Sequence, residues 1–182
     1  CLNLPLHLRY LEENMYLAGI GPGPKSPTGV QYNHLLGPVV DDFLESWDRG
    51  ILVRKTCRHP QGLQVHCALI PVIVDMIGAK EILALAGVTS THFCSYCDLP
   101  CSDINNLRTH EWEHRDVRSW RAAAERWRDA PTRSQRDAEY EESGIRWSEL
   151  LRLPYFDPPQ FLDTETMHLF NLRCIPTHCR AI

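Results

Sequence analysis

The most regular spacing of apolar and polar positions lies between residues 35 and 47. Leu35, Leu36, Val39, Val40, Phe43, Leu44 and Trp47 recur at intervals of three and four, one face of an α-helix, and Gly50 supplies a stop. Pro38 belongs near the first turn of that helix, where a missing N–H costs little. Upstream, residues 2–20 read as extended or mixed structure, with Tyr16 to Ile20 as a short strand. The segment 21–27 reads as a loop, because its prolines and glycines break both helix and ladder. Downstream, residues 51–56 predict a short strand. From Val65 to Val74 the chain is almost continuously apolar, and a run without alternation predicts a strand buried on both faces in the middle of a sheet. That strand ends at Asp75, and Ile77 to Ala86 follows as a helix closed by Gly87.

The second half changes character. A stretch rich in Cys and His runs from His92 to His114, and a helix rich in Arg and Trp follows, with Val117, Trp120, Ala124 and Trp127 on one face, ending before Pro131. A short helix is expected near Trp147–Leu151, a loop at Pro154–Pro159, and a final helix capped by Thr164 and running through Leu172. Strand, helix, buried strand ending in an acid, helix, insertion and acidic final helix make an α/β arrangement. The order matches the middle of an RNase H-like nuclease fold, where acids from a central strand and a later helix converge on divalent metal. The expected division is residues 1–91 as part of such a core, 92–146 as a Cys/His- and Arg/Trp-rich insertion, and 147–182 as the return to the core.

Composition narrows the class. The 182 residues are 43% hydrophobic and 23% charged, which suits a folded globular domain and excludes wholesale disorder. Cys1 at one end and an apolar segment at the other read as cuts from something longer. No run approaches the 18 apolar residues of a membrane span, and the first thirty residues lack a secretory pattern, so an intracellular protein without a membrane partner is expected. The formal charge of −4 weighs against nonspecific nucleic-acid binding. Eight arginines nevertheless fall between Arg108 and Arg136, and arginine suits bidentate phosphate contact. A solvated helix face with interspersed Glu125, Asp129 and Asp137 is the alternative.

Three groups of residues carry candidate chemistry. Asp75, at the C-terminal end of a predicted strand, stands where ligands bind in open α/β sheets. Carboxylates that hold two Mg²⁺ ions activate a nucleophile and stabilise a leaving oxygen in phosphodiester cleavage. The alternative role for Asp75 is the N-cap of the next helix. Asp163, Glu165 and His168 form the second group, with Glu165 and His168 on one helical face, equally suited to a metal or to the helix dipole. The third is Cys94-Ser-Tyr-Cys97, followed by Cys101, His110 and His114, which reproduces two-Cys, two-His zinc-finger spacing with Leu107 at the usual core position. Zn²⁺ held by Cys94 and Cys97 is the expectation, with His110 and His114 as the other ligands and Cys101 and His168 as substitutes. A pair of buried thiols is the alternative. No Gly-x-Ser-x-Gly and no Walker loop are present.

With these residues identified, the chain resembles the transposases of CACTA (En/Spm) type DNA elements, in the forms found in mushroom-forming fungi. The resemblance rests on LNLPLHLRYLEENMYLAGIGPGPKSP, LLGPVVDDFLESW, VHCALIPVIVDMIGAKEILALAG, THFCSYC, ERWRDAP and GIRWSELLRLPYFDPPQF, which span nearly the whole chain in order. It implies a nuclear protein with an RNase H-like core, using three acids and Mg²⁺ (or Mn²⁺) to cut transposon ends and join them to target DNA, within a full-length protein that forms homo-oligomers. Asp75 falls at the second acid of that triad, and Cys94 and Cys97 fall on the family's CxxC. Glu165-Thr-Met-His168 is similar to an Asp-x-Met-His segment near the last acid, for which Glu165, Asp163 and a residue beyond Ile182 are the candidates. The first acid belongs upstream of Leu2, so the chain is expected to be a fragment inactive alone. Leu172 to Cys179 departs from the family's Leu/Gly-rich helix, with Pro176 expected to break it, and His110 and His114 match no family position. The competing expectation is a zinc-stabilised, non-catalytic DNA- or protein-binding module.

Overall fold

The computed structural model describes residues 1–21 and 23–181; Pro22 of the expected 21–27 loop and Ile182 at the chain end lie outside the described residues. Within them the chain is mixed α/β. Its helices are α1 (Leu6–Arg9), α2 (Asn33–Asp48), α3 (Met76–Ile82), α4 (Val117–Asp129), α5 (Arg133–Ser143), α6 (Pro158–Phe161) and α7 (Ile175–Ala181). The strands are β1 (Ile51–Val53), β2 (Leu63–Val65), β3 (Val72–Val74) and β4 (Leu162–Thr164). β1 and β2 form an antiparallel pair, and β3 and β4 a parallel one.

Helix α2 forms as its periodicity predicts, with Val40 fully buried and Leu36, Phe43 and Leu44 packed on the core. Thr28 and Gln31 make a capping box on a 3₁₀ turn that leads into the helix at Asn33. Pro38 therefore falls in the second turn, one turn later than expected. Tyr16 to Ile20 is not a strand: it finds no ladder partner, and Tyr16 and Ile20 are largely exposed.

The apolar run 65–74 is not one central strand. β2 stops at Val65 and β3 begins at Val72, directly after Pro71, which has no N–H to give a ladder; between them the Leu69 amide donates to the Tyr155 hydroxyl at 2.9 Å. β3 alternates after all. Val72 and Val74 pack on the core, whereas Ile73 faces outward at 57% exposure and lines an open apolar cleft of about 810 Å³ with Tyr16 and Phe43. Alternation was hidden because the outward residue is itself apolar.

Helix α3 ends at Ile82, short of the expected Ala86, because Ala84 takes a left-handed conformation with φ 55°. Leu85 then bridges Ile145, and the Ala86 amide donates to the Gly144 carbonyl at 2.7 Å. Tertiary pairing takes over from the helix. Near Trp147 the chain makes a 3₁₀ turn, Glu149–Arg152. Thr164 ends β4 rather than capping a helix, and Met167–Cys174 runs as a π-helix into α7. Pro176 does not break that helix; it lies in the first turn of α7, where a missing N–H is tolerated.

The core joins Val40, Ala79 and Leu83 to Trp120 and Ala124 of α4, and to Leu150, Leu153 and Phe156. It thus draws on all three of the segments distinguished in the sequence. Arg121 locks the last of these to α4: its guanidinium donates to the carbonyls of Leu151, Leu153 (3.0 Å) and Phe156 (2.7 Å).

Candidate functional site

The parallel register sets Val72 beside Leu162, Ile73 beside Asp163 and Val74 beside Thr164. One residue further stand Asp75 and Glu165, and the ladder continues into them: the Glu165 amide donates to the Val74 carbonyl at 2.9 Å. Neighbouring strands lie about 4.8 Å apart, so the two acids leave the sheet side by side, at its C-terminal edge. Residues two apart on a strand share a face, which puts Asp163, paired with outward Ile73, on the face that Asp75 and Glu165 continue. Asp163 is exposed.

Each of the two inner acids also caps the turn that follows it. Asp75 is extended (φ −69°, ψ 168°), and its Oδ1 accepts the Gly78 amide at 2.5 Å. Gly78 allows this approach, since a Cβ there would stand 2.8 Å from the same oxygen. Glu165 accepts the amides of Met167 (2.8 Å) and His168 (3.0 Å) and makes a short contact with the His168 Nδ1. The His168 ring first, then these amides, holds the Glu165 carboxyl below the usual carboxylate range. His168 is therefore the partner of Glu165.

The cysteine cluster is only partly assembled. Cys94 and Cys97 face each other with sulfurs 3.0 Å apart, and the Tyr96 and Cys97 amides donate to the Cys94 Sγ at 3.4 and 3.3 Å. Cys97 is buried and Cys94 half-buried. His110 lies in a 3₁₀ turn, Thr109–Glu111, with its ring exposed and 3.9 Å from Glu111. The backbone of His114 pairs with that of Cys97, flanked by Arg115 N–H to Tyr96 C=O (3.0 Å) and Asp98 N–H to Glu113 C=O (2.8 Å), yet the residue is exposed. The two histidines share no helical face, and Leu107, the would-be finger core, is 84% exposed. The segment folds instead into tight turns tied by the Trp112 indole on the Asn106 carbonyl (3.1 Å). Cys101 closes the loop through its amide on the Thr91 carbonyl, 3.0 Å. Among the described residues no three His, Cys, Asp or Glu side chains gather closely enough to hold a metal ion, at either site. Asp75 and Glu165, at neighbouring strand ends, are thus the carboxylates open to Mg²⁺, and Cys94 and Cys97 the thiols open to Zn²⁺.

Sequence reasoning missed the surroundings of that turn. Lys80 is 4% exposed and donates to the Phe93 carbonyl at 2.5 Å. Burial, with Arg115 adding to it, lowers its pKa to about 8. Arg115, also buried, donates to the Cys94 carbonyl at 3.1 Å and meets Asp98 at 3.3 Å. Burial alone raises the Cys94 thiol, but the Cys97 S–H, the two amides and Lys80 outweigh it and bring Cys94 down. Cys97 is pushed up by burial and by its bond to Cys94. On the other side of the turn, the Tyr96 hydroxyl bonds Thr164 Oγ1 at 2.8 Å, next to Glu165. A lysine on an apolar helix gives no sequence signal of such a contact. Comparison with protein families, curated proteins and solved structures gave no match.

Proposed function

We propose that the chain is part of the catalytic core of a cut-and-paste DNA transposase, of the RNase H-like, CACTA type that its sequence resembles. The single observation that supports this reading is the parallel alignment of β3 and β4, which delivers Asp75 and Glu165 together to one edge of the sheet. Mg²⁺ takes only one or two carboxylates from protein and keeps several waters, so in this reading Asp75 and Glu165 would hold one ion between them. Such an ion supplies Lewis-acid polarisation of a phosphoryl oxygen and a more acidic bound water. The chain's own part is to aim the two carboxylates. Gly78 fixes one oxygen of Asp75, and His168 with two amides holds Glu165 deprotonated. The DNA partners in this reading are transposon ends and target, in the nucleus, with the full-length protein as the oligomeric unit. In this reading a further acid completes the triad, and the chain is inactive without it.

The zinc-stabilised binding module ranks second, because of its expected ligands only Cys94 and Cys97 meet, and several of the arginines are engaged in contacts within the chain. Arg121 holds three carbonyls, Arg136 donates to Ala130, Arg126 pairs with Glu139, and Arg128 stacks 4.3 Å from the Trp147 ring. Binding of Mn²⁺ followed by electron paramagnetic resonance tests the leading reading. Asp75→Asn and Glu165→Gln should each weaken it about tenfold; no Mn²⁺ binding, or binding indifferent to both changes, sinks the reading. Robust Mn²⁺-dependent nicking of plasmid DNA by the chain alone, abolished by Asp75→Asn, would keep the nuclease and discard its dependence on a further acid.

A further inference from the structure

The turn from Cys94 to Cys97 has the thiols of a metal knuckle without its further ligands, and its geometry suits another use. The Cys94 sulfur accepts from two amides and from the Cys97 thiol, so the two sulfurs are held against each other. Two buried cations flank it, the Lys80 ammonium on the Phe93 carbonyl and the Arg115 guanidinium on the carbonyl of Cys94 itself. Residue Cys94 is half-buried, whereas Cys97 is buried. That is the order a dithiol needs, an attacking sulfur in front and a resolving sulfur behind. The sulfurs stand 3.0 Å apart and a disulfide bond is about 2.05 Å long, so closure takes about 1 Å of movement within a four-residue turn.

We propose that Cys94 and Cys97 are a reversible redox pair that exchanges with small-molecule disulfides. The Cys94 thiolate attacks one sulfur of the disulfide, forming a mixed disulfide and releasing one thiolate. The Cys97 thiol gives up its proton, to that thiolate or to solvent, and its sulfur attacks the Cys94 sulfur. A Cys94–Cys97 disulfide forms and the second small thiolate leaves. Two protein thiols are oxidised by two electrons, and one disulfide is reduced to two thiols. Tyr96, inside the turn, bonds Thr164 beside Glu165. The exchange itself does not depend on those acids.

The test equilibrates the whole chain in anaerobic mixtures of reduced and oxidised glutathione, quenches with acid, and alkylates before peptide mass analysis. The expected result is paired loss of two alkylatable thiols, at Cys94 and Cys97 together, reversed by excess reduced glutathione. Exposed Cys57 serves as the internal reference, taking up glutathione without forming an internal bond. Cys97→Ser should trap glutathione on Cys94, whereas Cys94→Ser should leave Cys97 unmodified. A pair that stays reduced in the most oxidising mixture overturns the proposal. So does one tightly held zinc per chain that shields both thiols until a chelator removes it. The wild-type titration decides the matter even if a serine variant fails to fold.

Discussion

Lys80 lies beneath the Cys94 turn, with its stem among core residues of α3 and its amine on the Phe93 carbonyl. Burial depresses its pKa from 10.5 to about 8. Between those two values the unfolded chain holds a proton on this amine that the folded chain has released, so its contribution makes stability rise with pH across that window. Below pH 8 the cost of burying the ammonium is fully present. Urea unfolding of wild type and Lys80→Met should therefore show the difference between them shifting toward wild type from pH 8 to 10.5. A difference independent of pH would mean that the amine is not desolvated in the fold. Glu165 behaves in the opposite sense. Its folded pKa is depressed, so its contribution is present above the ordinary carboxylate range and lost as pH falls through the folded value.

Among the elements, the end of α5 shows how one residue sets a junction. Gly144 closes that helix at φ 69° with its amide on the Tyr140 carbonyl, and its own carbonyl receives the Ala86 amide. A Cβ at this position would stand 2.6 Å from the His92 Cβ and 3.2 Å from that of Ala86, in a backbone conformation that L residues avoid. Gly144→Ala should cost more than about 1 kcal/mol in chemical denaturation. Gly87→Ala, with open space at its Cβ, should stay within about 0.5 kcal/mol. The same junction explains the early end of α3. Ala84 turns left-handed so that Leu85 meets Ile145, and the gain in buried pairing outweighs one more helical turn.

At the scale of the molecule, α4 is the element on which the other parts converge. Trp120 is 2% exposed and packs in the cluster that includes Val40, Leu83 and Phe156, residues far apart in sequence. Trp120→Ala should cost about 3–5 kcal/mol, the usual loss for a large core aromatic. Because one cluster spans the chain, unfolding of wild type followed by far-ultraviolet circular dichroism and by tryptophan fluorescence should give coincident transitions. Separate midpoints would mean that the insertion folds apart from the rest.

Periodicity and composition determined what depends on neighbours a few residues apart. The helices at 33–48 and 117–129, the turn residues, the Asp75 cap and the close approach of Cys94 to Cys97 all follow from local spacing. Only the tertiary structure decided that the run 65–74 splits at Pro71, that β3 takes β4 as a parallel partner, and that Asp75 thereby emerges beside Glu165. It also decided that His110 and His114 turn away to solvent while Lys80 and Arg115 close over the cysteines. The reason is physical: a strand's partner and a charge's burial depend on residues tens of positions away. Apolar character at Ile73 is the same letter whether it faces a core or an open cleft.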